Sequence, residues 1–483
     1  MLAALGLSPA EQIYAANAVP QTLVGEQRAL HALNRLGYGP RPADAAAIQR
    51  QGADAWLAQF LAQQLQAGQP LAQPWATHLQ NMPAQALSQA ELLGRFRAAR
   101  EGGQGKRELL RPLVLEASEQ RLLRALHSPG QLEEVLVDFW FNHFNVFAGK
   151  GPVGVLIGNY EREAIRPHVF GKFRDMLGAT AKHPAMLIYL DNVQSVAPGY
   201  QPRRQGQQGP KAPTGLNENY ARELMELHTL GVDGGYTQRD VTELARMLTG
   251  WTVDYRAATR GTPGPLFHFD PARHDGGVKQ WLGRRVEPAG QREGEMALDV
   301  LAAHPATARH LAFKLAQAFV SDTPSPALVQ RLSENFLATQ GDLRALMQSL
   351  IRDEEFWRQE NWGAKFKTPY QYLLSSLRAL DISPAEPQAM LAALAQAGMP
   401  LYGAQTPDGY KNLASAWLNP EALAQRVQWA SRIGAKQARA ESAAALTNTL
   451  GVILKDGTRQ ALAAEAVELR SALLLASPEF MYR

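Results

Sequence analysis

Between Asn217 and Gly231 the chain reads Asn-Glu-Asn-Tyr-Ala-Arg-Glu-Leu-Met-Glu-Leu-His-Thr-Leu-Gly. At about 100° per residue, Arg222, Glu223 and Glu226 fall within roughly 60° of Asn219 on a helical wheel. Tyr220, Leu224 and Leu227 take another face. An amide, a guanidinium and two carboxylates therefore share one stripe. Two carboxylates so placed can work as general acid and base, and an apolar pocket around Glu223 would raise its pKa as an acid requires. Asn217, Asn219 and Arg222 read as substrate-binding groups beside the catalytic candidates Glu223 and Glu226. The plain alternative is a solvated helix face in which Arg222 neutralises one of the carboxylates.

Two further segments set polar side chains in apolar surroundings. Asp138-Phe139-Trp140-Phe141-Asn142-His143-Phe144-Asn145-Val146 is otherwise aromatic or aliphatic. Asp138, Asn142 and Asn145 share a helical face. Buried polar groups need partners, so Asn142, His143 and Asn145 either bind substrate or tie helices together. His274-Asp275, with Lys279, gathers a base, a carboxylate and an ammonium in one loop, and reads as a catalytic pair or as a charged hairpin. His228 lies about 500° past Glu223 and turns away from the stripe into the core. Thr237-x-x-Asp240 ahead of Val241 and Leu244 has the form of a capping box, and His304 before Pro305 that of a helix cap.

The elements that must position these groups are mostly helical. Gly37 is expected as the left-handed residue closing the first helix and Pro42 as a first-turn residue of the next. Ala84–Arg100, Arg107–His127 and Leu132–Phe147 follow, and a stretch over Glu161–Leu177 breaks or kinks at Pro167. The helix from His304 to Phe319 turns Leu311, Leu315 and Phe319 to one side. Phe267–Gly283, with its aromatic alternation and glycines, reads as a small hairpin. Pro198–Gly215 has no periodicity, and about twenty such residues upstream of Asn217 suit a flexible loop or lid.

Composition bounds the function. The 483 residues are 46% hydrophobic and 19% charged, ordinary for a globular chain with a sizeable core. A net charge of +4 over this length is too mild for a nucleic-acid-binding surface. The absence of cysteine excludes disulfides, thiolate metal sites and a cysteine nucleophile. No apolar run reaches about 18 residues, so no membrane span is read. His-Glu-x-x-His, the phosphate-binding Gly-Lys-Ser/Thr loop, Gly-x-Ser-x-Gly and a dinucleotide fingerprint are all missing. Residues 1–25 form an N-terminal segment. Its apolar start and Ala16-Asn17-Ala18 read as a signal remnant, a mis-set start or a frayed terminus, since a positive n-region is lacking and Pro9 and Glu11 interrupt the run; the remnant leans the location to periplasmic or secreted.

The sequence resembles the bacterial family catalogued as domain of unknown function 1800. The marks are Leu33–Pro40, Trp140–Val146, Asn217–Gly231 and Leu248-Thr249-Gly250-Trp251. His274-Asp275, Ala306–Arg309 with Lys314, Thr406-Pro407-Asp408-Gly409-Tyr410 and Ser477–Phe480 agree as well. The resemblance covers nearly the whole chain. It implies a large helical protein, usually exported and often encoded beside a second uncharacterised exported protein. It brings no established reaction.

The expectation is therefore one large, mainly α, multi-helix domain over 26–483 with a small β-hairpin insertion near 266–282. Asn142, His143, Asn217, Asn219, Arg222, Glu223, Glu226, His274 and Asp275 are expected around one cleft, partly covered by the 198–215 loop. The first functional class is a hydrolase-type enzyme on an extracellular or cell-envelope polymer, such as a polysaccharide. Its carboxylates would flank the scissile bond, or Glu223, Glu226 and His143 or His274 would ligate Zn, Mn or Mg. The second class is a non-catalytic binding or assembly partner of another exported protein.

Overall fold

The computed structural model describes residues 21–483 except 104, 202–214, 263, 384–386 and 438. The possible signal and most of the expected lid lie outside the described residues. The chain is mainly helical, as its periodicity requires, and one apolar cluster runs from Ala29 to Met481. No described helix is long and apolar enough to cross a membrane.

At the centre lies the helix Pro369–Ala379, in which every residue is buried. Thr368 and Gln371 form its capping box and Pro369 occupies its first turn. Its polar side chains find partners at both ends of the chain, as buried groups must. Ser375 donates to the Tyr38 carbonyl (3.0 Å) and Arg378 to that of Gly39 (3.0 Å). The Tyr372 hydroxyl bonds to the carbonyls of Arg426 and Leu475.

The predicted punctuation is largely present. Pro42 opens the helix Pro42–Gln51, and Thr237 and Asp240 cap Gln238–Leu248 reciprocally. The His304 Nδ1 accepts from the Ala306 N–H at 3.1 Å. Around Pro167 the helical stretch breaks into a π turn over Glu161–Ile165 and a 3-10 turn over Arg166–His168 before Phe173–Lys182 resumes. Gly37 does not carry the left-handed turn. That role falls to Gly39 (φ +93°), while a Cβ on Gly37 would meet the Leu33 carbonyl at 3.0 Å and Gln131 at 3.1 Å.

Strands are few and short. Trp251–Val253 pairs antiparallel with Phe267–Phe269, Trp251 opposite Phe269. The hairpin itself is Lys279–Trp281 with Arg284–Val286, later than the expected 266–282. It turns at Leu282 (φ 47°) and Gly283 (φ +72°), the paired positive φ of a two-residue hairpin turn. Phe267 is drawn instead to the ring of Trp251, edge-on at 5.0 Å.

Candidate functional site

A cavity of about 1450 Å³ opens between the C-terminal half of the helix Gln131–His143, one face of the helix Pro305–Phe319, and the loop around Asp408. This exceeds the usual small-ligand pocket and suits an extended ligand. Of the sequence candidates, Asn142, His143 and Asn145 line it. Asn217, Asn219, Arg222, Glu223, Glu226, His274 and Asp275 do not belong to its lining.

The polar groups of the Asp138–Asn145 face each hold a different partner. Asp138 pairs with Arg121 at 2.5 Å, and Arg121 also reaches Glu161 at 3.4 Å. Burial alone would raise the Glu161 pKa, but Arg121 and Arg166 outweigh it and hold the carboxyl low. Asn142 pairs with the backbone of Tyr410, and the Asn145 amide donates to the carbonyls of Ala404 (3.1 Å) and Thr406 (2.8 Å). The Tyr189 hydroxyl donates to the Gln405 carbonyl at 2.8 Å. Three side chains remote in sequence from the Gly403–Asn412 loop thus fix it.

That loop joins the cavity to the carboxylate stripe. Asp408 lines the cavity, and its charge also acts on Glu223. Glu223 is half-buried on the helix Asn219–Glu226, and its carboxylate makes no hydrogen bond or ion pair with a described residue. Burial, then the charge of Glu226, and then Asp408 raise its pKa, against Arg222. Asp408 moves the other way. Burial would raise its pKa, but hydrogen bonds from Lys411 (2.6 Å) and Thr406 pull it below the usual range. Glu226 faces the Tyr236 hydroxyl at 3.5 Å.

Arg222 does not neutralise either stripe carboxylate through an ion pair. It bonds to Glu218 at 3.3 Å and to Gln238 at 2.9 Å, and Glu218 in turn accepts from Thr242. The competing partner lies one turn earlier on the same face. Asn217 and Asn219 serve the backbone: Asn217 Oδ1 accepts from the Asn219 N–H (2.9 Å), and Asn219 donates to the Leu190 carbonyl (3.3 Å).

His274 and Asp275 belong to a buried network of their own. The His274 ring nitrogens face the Thr249 carbonyl (2.9 Å) and Glu293 (3.0 Å). Glu293 pairs with Lys279 at 2.6 Å, both side chains 0% exposed, and Asp275 pairs with Arg246 at 2.8 Å. Among the described residues no group of three or more His, Asp or Glu side chains is arranged to hold a metal ion.

The reading of the helix Pro305–Phe319 by its apolar side overlooked its opposite face. Arg309, His310, Phe313, Lys314 and Gln317 all line the cavity. The spacing i, i+1, i+4, i+5, i+8 was the available signal, since it places them on one arc. His143, His228 and His310 gather near Lys314, with ring centroids 6.1 Å apart for His143–His228 and 6.2 Å for His143–His310. Burial keeps all three imidazoles neutral, that of His228 pushed down to about 3 and that of His310 to about 4.

The fold and cavity define a large helical protein with a sizeable groove. The chain belongs to the family described as Protein of unknown function (DUF1800), whose model matches residues 31–482. No curated protein and no solved structure matches it significantly.

Proposed function

We propose that this protein is a hydrolase-type enzyme that takes a polymer chain into the groove and on past the Asp408 loop, where Glu223, outside the cavity lining, is general acid and Asp408 its ionised partner. The observation that carries this reading is the divergence of two neighbouring carboxyls: Glu223 is raised by burial and Glu226, while Asp408 is held low by Lys411 and Thr406. Environments that push two carboxyls apart are those that assign acid and base. In the reaction, Glu223 gives its proton to the leaving-group oxygen as the C–O bond breaks. Water adds to the carbon and its proton passes to Asp408, whose charge also opposes the positive charge of an oxocarbenium-like transition state. A cell-envelope or extracellular polysaccharide is the substrate class that this chemistry and the groove's volume of about 1450 Å³ suit. The test is release of reducing ends from a panel of envelope polysaccharides by the wild type and by Glu223→Gln. Loss of activity in the variant supports the reading, and equal activity overturns it.

A second reading draws on the groove's rim, where Val232 (70% exposed), Phe313 (40%) and Leu337 (38%) present apolar surface. Such a patch suits docking of another exported protein without catalysis. Wild-type inactivity on every polymer, together with stable capture of a purified partner, would favour it.

A further inference from the structure

The helix Pro305–Phe319 turns an arc of about 140° toward the cavity, from Arg309 through Phe313 and Gln317 to Lys314, with His310 inside it. Lys314 is half-buried and its ammonium forms no ion pair or hydrogen bond with any described residue, and the same holds for the guanidinium of the more exposed Arg309. The nearby Asp408 is already paired with Lys411 at 2.6 Å. A half-buried ammonium without a counter-charge is poorly solvated, and an incoming anion would stabilise it.

The surrounding imidazoles add a second requirement. His143 donates Nε2–H to the His228 carbonyl at 3.1 Å, and His310 donates Nε2–H to that of Leu227 at 3.2 Å. Each Nδ1 is therefore left as a lone-pair acceptor. That of His143 is buried and unpartnered, on a residue 2% exposed that lines the cavity. Phe139 and Phe313 supply apolar faces beside these groups.

Resting on the hydrolase reading above, we propose that this arm of the groove is a subsite for an acidic sugar unit: Lys314, with Arg309, holds its carboxylate or sulfate, His143 Nδ1 accepts from a ring hydroxyl, and a phenyl face packs on the ring. The substrate is then an anionic polysaccharide. Burial, joined by the charge of Lys411 and opposed by that of Asp408, brings the Lys314 pKa down to about 8. The ammonium form therefore still predominates at neutral pH.

The test is titration calorimetry of full-length protein with a short oligogalacturonate, a sulfated oligosaccharide and a neutral cello-oligosaccharide of matched length. At least one of the two anionic probes should bind at least about tenfold more tightly than the neutral one, and its affinity should fall with added salt. Whichever does so identifies the acid group. Lys314→Gln should remove at least about tenfold of that preference without lowering the melting temperature, and Lys314→Arg should restore most of it. Equal binding of neutral and anionic probes, or an anion preference untouched in Lys314→Gln, overturns the subsite. The outcome separates from that of catalysis: Lys314-dependent binding with full Glu223→Gln turnover would sink the acid assignment alone, and the reverse pattern would sink the subsite alone.

Discussion

Asn142 and Tyr410, 268 positions apart, are joined like two residues of an antiparallel strand pair. The Asn142 amide donates to the Tyr410 carbonyl at 2.8 Å and accepts the Tyr410 N–H at 2.7 Å. Gly409 beside them has φ +66°, and a Cβ there would lie 2.4 Å from Asn142 Oδ1. Asn142→Ala should cost about 2–3 kcal/mol, from two lost hydrogen bonds and the backbone groups left unpaired. Gly409→Ala should also destabilise, by at least the roughly 1–2 kcal/mol of a left-handed alanine. Urea midpoints measure both. A change under about 0.5 kcal/mol for Asn142→Ala would show that the loop is held elsewhere.

The His274 network makes a prediction about stability. Glu293 faces Lys279 at 2.6 Å with neither side chain exposed. Glu293→Gln leaves the ammonium without its nearest countercharge and should cost about 3–5 kcal/mol. Adding Lys279→Met should recover much of that loss, because the stranded charge goes with it. A double variant no more stable than the single one would contradict this account.

Stability should also fall in mild acid. His183 Nε2–H donates to Asn159 (2.8 Å) while Nδ1 accepts from the Ala185 N–H (3.1 Å), so the fold fits only the neutral ring. Burial pushes the pKa values of His183 and His228 down to about 3 from 6.5. Between those values the unfolded chain binds a proton that the folded chain refuses. Stability is therefore lost as pH falls through that window, by about 1.4 kcal/mol per pH unit for each ring. Denaturant titrations at pH 7 and pH 5 read the slope, and His228→Leu should make it shallower. An unchanged slope would mean that His228 takes up its proton in the folded state.

What the sequence disclosed was local. The Thr237–Asp240 box, the His304 cap, the opening at Pro42 and the break at Pro167 each depend on residues within one turn, and types and spacing state them directly. The groove depends on contacts such as Tyr189 to Gln405 and Asn142 to Tyr410, which no periodicity encodes. Reading Pro305–Phe319 by Leu311, Leu315 and Phe319 found its buried stripe. A face lining a groove and a face in open solvent share one pattern, so Lys314 was read as a mark of the family and not as a site residue. Arg222 illustrates a nearer ambiguity. Glu218, Glu223 and Glu226 all lie within its reach on the helix, and packing against Gln238 and Thr242 selects Glu218.

That selection sharpens the central test. Because Arg222 is tied to Glu218, and the Glu223 carboxylate has no bonded partner among the described residues, Glu223→Gln strands no charge and should leave the melting temperature within a few degrees of wild type or slightly above it. On a polymer that the wild type cleaves, the variant should lose at least about a hundredfold in turnover, the scale of a missing general acid. The wild-type rate should fall with rising pH only above the ordinary glutamate value of 4.5, following the raised pKa of Glu223. Wild-type turnover retained in Glu223→Gln, or a loss of several kcal/mol of stability in its place, would contradict the account.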